Sequence, residues 1–486
     1  MYLDRILSHL ESASTDTAFH ITGKLHSYAA LAQRVQAISA FLEDKEEQVI
    51  GISTADHLDT YAGIIALWLQ GKTMVPLNLD QPKDRIQDIL DQTGIKIILD
   101  ASEKTESHSF SGGELFNSQS MTASMPLVNK AKASQSAYIL FTSGSTGSPK
   151  GVPITHNALN AFTQAFFKLH LELSSSDRFM QMFELTFDLS LMCYVIPLSI
   201  GSSIYTVGDE GMKYMEIFKT LEDHEISVAL MVPSVLAHLR PYFDEIDLPS
   251  MRYNLFCGEA LPKDITAEWK NSVPKADIFN VYGPTEATIF CMSHLYGPDS
   301  KASNGILSIG KAMDDMSMCI VDDAGNKVAN TEKGELCLAG PQLTEGYWKN
   351  PEKTGEVFLD LDGKRYYRSG DVAMQDEEGE FHYLGRVDQQ VKIEGFRVEL
   401  SEVEHWLRKV SSKAHVAAVV QTNELGASHI IAFIEDDGPV DEQELKERLK
   451  EKLPSYMIPK KILLRKEFPL NVNGKIDRKA LKASLS

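Results

Sequence analysis

Residues 137–151 read AYILFTSGSTGSPKG. An apolar strand, Ala137 to Phe141, runs into a loop with three glycines, Gly144, Gly147 and Gly151, the hydroxyls of Thr142, Ser143, Ser145 and Thr146, and one lysine, Lys150. Glycine lets consecutive amides point into one concavity, hydroxyls add donors, and the lysine brings the charge a polyphosphate needs. The lysine precedes glycine rather than Ser or Thr, so this is not the Walker spacing. A flexible Gly/Ser linker is the competing reading. The strand before the loop, and Pro149, Lys150 and Gly151 after it, favour a phosphate cradle.

Upstream of the loop, helical and strand patterns alternate. LHSYAALAQRVQAISAFL (25–42) repeats apolar residues at helical spacing, and VIGIS (49–53) is a short buried strand. YAGIIALWLQG (61–71) predicts a helix with a glycine stop, followed by strands in TMVPLN (73–78) and IKIIL (95–99). Strands separated by helices predict parallel βαβ units. The polar, Ser-rich stretch 102–136 is expected to be a surface loop. The alternation continues through 137–310. From about residue 315 it gives way to close-spaced strand–turn units, with DDAGN and EEGE turns that suggest antiparallel hairpins. The last hundred residues carry a fresh mix: helix SEVEHWLRKV, strands HVAAVVQ and HIIAFIE, helix DEQELKERLKEKL and loop NVNGKID. Its own apolar set predicts a separate small domain starting near Asp388.

At 486 residues the chain exceeds one ordinary domain, and 43% hydrophobic content excludes wholesale disorder. With 48 Lys+Arg against 68 Asp+Glu, the net charge of −20 repels phosphate backbones and anionic lipid, so no nucleic-acid partner and no membrane insertion are expected. An anionic ligand must therefore be held by a local cluster of donors. The cysteines Cys193, Cys257, Cys291, Cys319 and Cys337 form no CxxC pair, which fits a reducing compartment. Asp4 and Glu11 stand where a secretory signal needs an apolar core, so a cytoplasmic, soluble protein is expected.

TSGSTGSPKGV closely resembles the phosphate loop of the adenylate-forming superfamily: acyl-CoA synthetases, luciferases and amino-acid adenylation enzymes. The resemblance continues in order through FDLS (187–190), NVYGPTEAT (280–288), GELCLAG (334–340), YRSGD (367–371), GRVDQQVKIEGFRVEL (385–400), LPSYMIP (453–459) and NGKIDR (473–478). It implies an α/β fold. A large N-terminal adenylation domain of layered sheets and helices with a small barrel-like part would span 1–388. A small mobile α+β C-terminal domain would span 389–486. ATP and Mg²⁺ are the implied cofactors. The implied nucleotide contacts are Thr142, Ser143, Gly144, Ser145, Thr146, Gly147 and Lys150 of the loop, then Gly258, Glu259 and Ala260. They continue with Asn280, Val281, Tyr282, Gly283, Pro284 and Thr285, and end with Asp371, Tyr383, Arg386 and Lys475. Tyr282 would stack on adenine while Asn280 meets its edge. Thr285 would reach the α-phosphate, and Glu286 is a hard oxygen ligand suited to Mg²⁺. Asp371, an acceptor-only carboxylate, would take both ribose hydroxyls. The resemblance places Lys475 between substrate carboxylate and α-phosphate, where one ammonium relieves the charge of the transition state. With Thr285 and Glu286 it makes up the expected catalytic set.

Asp188, in FDLS, decides which acid is activated. The resemblance sets it against the substrate's α-ammonium; the alternative is that it only caps the helix LSLMCYVI. A plain acid would leave a buried carboxylate there unpaired. The implied pocket is Asp188, Leu189, Met192, Met231, Leu255, Cys257, Val281, Ile289 and Phe290, bulky enough to admit only a small or medium apolar amino acid. FCGEALP (256–262) and FDLSLM (187–192) look most like D-alanine–carrier protein ligases, in which the matching cysteine sits beside the substrate α-carbon. Cys257 would then select the stereoisomer; an inert packing cysteine is the other reading. D-alanine is favoured. Another small or medium apolar amino acid loaded on a peptidyl carrier protein, an acyl- or aryl-CoA synthetase activity, and a nucleotide-binding scaffold on the same fold remain as alternatives. No attachment motif follows within the chain, so the acceptor is expected in trans, as the phosphopantetheine thiol of a separate carrier protein. The resemblance also implies a pivot at Asp388 that withdraws Lys475 and turns the VKIEGFRVEL face inward.

Overall fold

The helix Leu58–Leu69 is buried at every residue, and Leu189–Ile200 at all but its last. A helix apolar all round must lie inside a protein, and these two share one core that draws on both large sheets. The computed structural model describes all residues except 103–109, 145–147, 170, 209–210, 389, 414, 424–426, 437–439, 471–475 and 486. Across the core runs a chain of rings. Phe19 stacks on Tyr61 at 4.5 Å, Tyr61 meets Tyr194 edge-on at 5.8 Å, and Tyr194 stacks on Trp68 at 6.2 Å. The Trp68 indole then donates to the carbonyl of Ala137 at 2.8 Å, fixing the start of the strand that leads into the phosphate loop.

The six-stranded sheet runs in the order 114–117, 97–100, 49–53, 73–77, 136–142, 150–155. Its first five strands are parallel, as the alternating pattern predicts, and Lys150–Thr155 turns back antiparallel on Ser136–Thr142. The nine-stranded sheet has a parallel centre with antiparallel strands at both edges. The 317–386 region is a five-stranded antiparallel sheet, the barrel-like part expected. Its turns at Gly325 and Gly379 take positive φ.

Beyond residue 390 come the hairpin of strands Gln390–Ile393 and Phe396–Glu399 and a three-stranded sheet. One apolar cluster, built on the helices Leu400–Ser411 and Glu442–Lys450, covers part of this region. A second cluster, around Phe433 and Leu481, forms with the helix Arg478–Ala483.

Two expectations need correction. Residues 24–27 form a strand, and the long helix begins only at Tyr28, because the Ser27 hydroxyl accepts from the amide of Ala30 at 3.2 Å and caps it. The 102–136 stretch is not only loop: Glu114–Asn117 adds a parallel edge strand to the six-stranded sheet, and a short 3-10 helix follows at Ser118–Ser120. Four residues with mixed burial gave no periodic signal. Among the described residues, no helix is long and apolar enough to cross a membrane.

Candidate active site

A cavity of about 590 Å³ opens between the two large sheets, the antiparallel sheet and the hairpin after residue 390. Thr142 and Ser143 line it at the end of the loop strand. The loop is drawn tight: a Cβ on Gly144 would collide with the Ser148 carbonyl, and one on Gly151 would sit 3.0 Å from Trp348 and 3.1 Å from Phe141. Ser145, Thr146 and Gly147 lie outside the described residues. Lys150 is pushed down to about 8, chiefly by burial and then by the neighbouring Arg397, with Glu286 pulling the other way. Its ammonium stands 5.1 Å from the Tyr347 ring.

Glu286, on the 3-10 turn Thr285–Ala287, is fully buried. Burial alone would raise its carboxyl, but Arg397, Lys150 and the Tyr347 hydroxyl bring it down to about 2, so it is ionised. The Tyr347 hydroxyl donates at 2.7 Å, and Arg397 Nη1 reaches both oxygens at 3.0 and 2.9 Å. The carboxylate therefore already has a cationic partner, which shows that it suits a cation. Mg²⁺ would be held there once the guanidinium is withdrawn. No cluster of three or more metal-type side chains occurs among the described residues.

Asp371 and Arg386 are direct partners in the antiparallel register. Arg386 donates to Asp371 at 2.7 Å and forks onto Asp388 at 2.7 and 2.8 Å, so one guanidinium ties the expected ribose carboxylate to the expected pivot. The Tyr282 hydroxyl also donates to Asp371. Asn280 donates from its amide nitrogen to the carbonyls of Ser308 at 2.8 Å and Leu307 at 3.5 Å, which leaves its oxygen to meet a base. Tyr383 lines the cavity, its phenol raised to about 12 by burial. Gly283 is needed where it stands, because a Cβ would come within 2.5 Å of the Phe290 Cα.

Asp188 lines the cavity with 4% exposure and, although at the helix start, makes no capping hydrogen bond with its side chain. Burial raises it to about 6, while Lys392 and the Thr285 hydroxyl pull it down. Among the described residues it forms no ion pair. Of the other expected pocket residues, Leu189, Cys257 and Val281 line the cavity. Met192, Met231, Leu255, Ile289 and Phe290 are buried but stand behind the wall, and Phe290 packs edge-on against Phe162 at 5.0 Å. The Cys257 thiol is pushed up to about 12 by burial, so it is a wall, not a nucleophile.

The hairpin after residue 390 enters the site with the VKIEGFRVEL face inward. Glu259 accepts from the Gly395 amide at 3.0 Å and from the Ser234 amide at 2.8 Å. Gly395, at φ +84°, passes so close that a Cβ would stand 2.5 Å from Val232. Gly258 and Ala260 line the cavity beside it. Lys475 lies outside the described residues. Its neighbour Ile476 packs on the cluster around Phe433 and Leu481, and none of the described residues after Tyr456 lines the cavity.

Sequence reading missed Lys392, Arg397, Tyr347, Glu402 and Arg85, the last of which donates to Glu402 at 3.0 Å in a buried pair. The segment carrying Lys392 and Arg397 was visible as a motif; which large-domain groups it meets was not.

Comparison with known proteins agrees with this geometry. Residues 9–348 match the AMP-binding enzyme family and residues 402–475 the AMP-binding enzyme C-terminal domain. A D-alanine–D-alanyl carrier protein ligase of Bacillus cytotoxicus is 32% identical over 450 residues, covering 89% of this chain and 88% of that one. Tyrocidine synthase 2 of Brevibacillus parabrevis is 30% identical over 483 residues, covering 97% of this chain and 13% of that one. Among solved structures, the Vibrio cholerae adenylation domain AlmE in complex with glycyl-adenosine-5'-phosphate superposes with a TM-score of 0.90 at 27% identity, covering 100% of this chain and 97% of that one. Phosphate loop, paired Asp371 and Arg386, buried Glu286 and an inward hairpin, on a chain matched over most of its length, have one explanation: the chain belongs to the AMP-binding enzyme family of adenylate-forming ligases.

Proposed function

We propose that the protein activates a small amino acid, D-alanine before others, with ATP and passes it to the phosphopantetheine thiol of a separate carrier protein in the cytoplasm. The observation that carries this is Asp188: a carboxylate on the cavity wall, almost without solvent and without an ion pair among the described residues. An α-ammonium compensates it, whereas a plain acid leaves it unpaired. The names of similar proteins support a small amino acid, since one is a D-alanine–D-alanyl carrier protein ligase and another was solved with glycyl-adenosine-5'-phosphate.

In this reading Asp371 and Arg386 hold the ribose, while Lys150 and the loop amides hold the triphosphate. Thr285 meets the α-phosphate. Glu286 would hold Mg²⁺, which would supply charge neutralisation to the phosphates. The tail Lys475 bridges the acid's carboxylate and the α-phosphate as the carboxylate oxygen attacks phosphorus and pyrophosphate leaves. Division at Asp388 into a body of 1–388 and a tail of 389–486 lets the hairpin replace Lys475 for the second step. There the carrier thiolate attacks the acyl carbon and AMP departs. Cys257 narrows the space beside the α-carbon and thereby favours one stereoisomer.

ATP–pyrophosphate exchange across D- and L-amino acids and the matching deaminated acids tests the reading. D-alanine is expected to give the highest kcat/KM. Exchange supported better by propionate than by either alanine would remove it, and a CoA thioester of a plain acid would establish the synthetase alternative.

A further inference from the structure

Strands Ser317–Val321 and Lys333–Ala339 pair antiparallel, and Cys319 is the direct partner of Cys337. Residues opposite each other in such a pair share a face, with Cα atoms about 4.5–5.5 Å apart, inside the roughly 4.4–6.8 Å that a disulfide spans. Both cysteines pack in one small apolar cluster with Val321, Ala339 and Tyr366, on the face opposite the cluster that contains Tyr282 and Tyr383. Their surroundings differ. Cys337 is fully buried and Cys319 half-buried. The Cys337 thiol as donor, and then Lys327, hold Cys319 below the usual thiol range against burial and Asp362. Lys327 stands close by, its ammonium 5.5 Å from the Tyr366 ring. Cys337 is raised, by its bond to Cys319 and then by burial. The remaining thiols, Cys193, Cys257 and Cys291, are all buried and pushed up by burial. The strand that carries Cys337 also holds the nucleotide end. Glu335 accepts from the Gly370 amide at 3.0 Å and from Arg368 Nε at 2.8 Å. The Ser369 hydroxyl donates to the Leu336 carbonyl at 2.6 Å and accepts from the Asp371 amide at 3.1 Å.

We propose that Cys319 and Cys337 are an oxidisable dithiol that a hydroperoxide closes into a cross-strand disulfide, and that closure acts on the nucleotide end through Glu335 and Leu336. With hydrogen peroxide, the Cys319 sulfur attacks one oxygen, the O–O bond breaks, and the leaving hydroxide takes a proton to become water. The Cys337 sulfur, as its proton is lost, attacks the sulfur of the resulting sulfenic acid; the S–O bond breaks and a second water leaves. The two thiols lose two electrons and the peroxide takes them up. Opposite Cβ atoms stand about 4.5–5.5 Å apart, and a disulfide draws them to about 3.8 Å. Lys333–Ala339 lies between its Cys319-bearing partner and the strand Lys364–Gln375. Drawing it toward the one therefore stretches its bonds to the other, and a close-packed interior transmits the strain. Those bonds are the ones that set Asp371. The action on the nucleotide end rests on the ribose reading of Asp371 above, but not on which acid is activated.

The test treats the full chain with hydrogen peroxide and maps disulfides by peptide mass before and after dithiothreitol. AMP is then titrated calorimetrically into reduced and oxidised protein. A single bridge, Cys319 to Cys337, is expected, with the loss of two hydrogens. AMP should bind roughly tenfold more weakly to the oxidised protein, the equivalent of one charge-assisted hydrogen bond, and dithiothreitol should restore the affinity. In Cys337→Ala the reaction should stop at a Cys319 sulfenic acid that dimedone traps. In Cys319→Ser neither bridge nor adduct should form, and peroxide should leave AMP affinity unchanged. That variant alters only a half-buried side chain, so it keeps the test decisive if Cys337→Ala does not fold. A bridge between other cysteines, a dimedone adduct on wild-type Cys319 with no bridge, or thiols that survive peroxide sufficient to oxidise free cysteine would each overturn the dithiol. A Cys319–Cys337 bridge with unchanged AMP affinity would overturn its action on the nucleotide end. No AMP binding to the reduced protein would remove the ribose reading and that action with it, while the mapped bridge would still decide the dithiol.

Discussion

Asp188→Asn removes one charge and almost no volume, and the structure fixes what should follow. With folded-state pKa raised to about 6 against an ordinary 3.8, chiefly by burial, the wild-type carboxyl binds its proton more tightly in the empty folded protein than in the unfolded chain. Stability from this group is therefore greatest below pH 4 and falls as pH rises through the window from 3.8 to about 6. Above that window the ionised, unpaired carboxylate costs about 3 kcal/mol, on the order of two pKa units at 1.36 kcal/mol each. Lys392 is the nearest opposite charge acting on it, and Glu286 acts in the unfavourable sense. The asparagine variant should accordingly unfold at higher urea than wild type at pH 7 and at the same urea near pH 3.5.

Function should move the other way. A bound α-ammonium recovers the cost, so alanine should be preferred over propionate by roughly 100-fold, the equivalent of about 3 kcal/mol. In the variant that preference should collapse. Paired denaturation curves at two pH values and exchange kinetics with alanine and propionate give both numbers. Equal or lower stability of the variant at pH 7 would refute the reasoning, as would a gap that does not close on acidification. Helix capping alone predicts no change at either pH, because asparagine caps as well as aspartate.

Lys475→Ala should lower adenylation, read as ATP–pyrophosphate exchange, by orders of magnitude with an unchanged unfolding midpoint. Asp388→Pro breaks the fork from Arg386 and stiffens the pivot; it should spare pyrophosphate exchange and abolish thioester formation on a carrier, and equal loss of both steps would argue against a hinge. Glu286→Gln leaves the Arg397 guanidinium buried without its anion. It should cost about 3–5 kcal/mol in the docked state, seen as faster exchange of the 390–402 amides.

The parallel strands, though not their order in the sheets, were legible up to the edges. Parallel strands announce themselves as short apolar runs between helices, as in VIGIS and IKIIL; the edge strand Glu114–Asn117, with exposed ends and half-buried Leu115 and Phe116, does not. Asp188 and Glu286 were readable because their motifs set them at a helix start and a 3-10 turn, and Asp371 and Arg386 because their motifs lie on strands that pair the two directly. The pocket wall was only half readable. Which of two buried neighbours faces the cavity depends on how strands and helix pack, so Cys257, just past the strand Tyr253–Phe256, lines it while Leu255, within the strand, stands behind. Arg85 and Glu402 are 317 positions apart, and no spacing rule joins them.

The charges around the cavity give the strongest argument for an amine-bearing substrate. Glu286 has Arg397, Asp371 has Arg386, and Glu402 has Arg85, each at hydrogen-bonding distance. Protein interiors tolerate ions on that condition. Asp188 alone among these carboxylates lacks such a partner among the described residues, yet it is nearly as buried as Glu286. Lys392, at a greater distance, lowers its pKa without bringing it back to the ordinary value. A fold that pairs three buried carboxylates from its own chain and leaves the fourth facing a cavity is one that an amine-bearing substrate would complete, and on that ground the proposed amino-acid substrate rests.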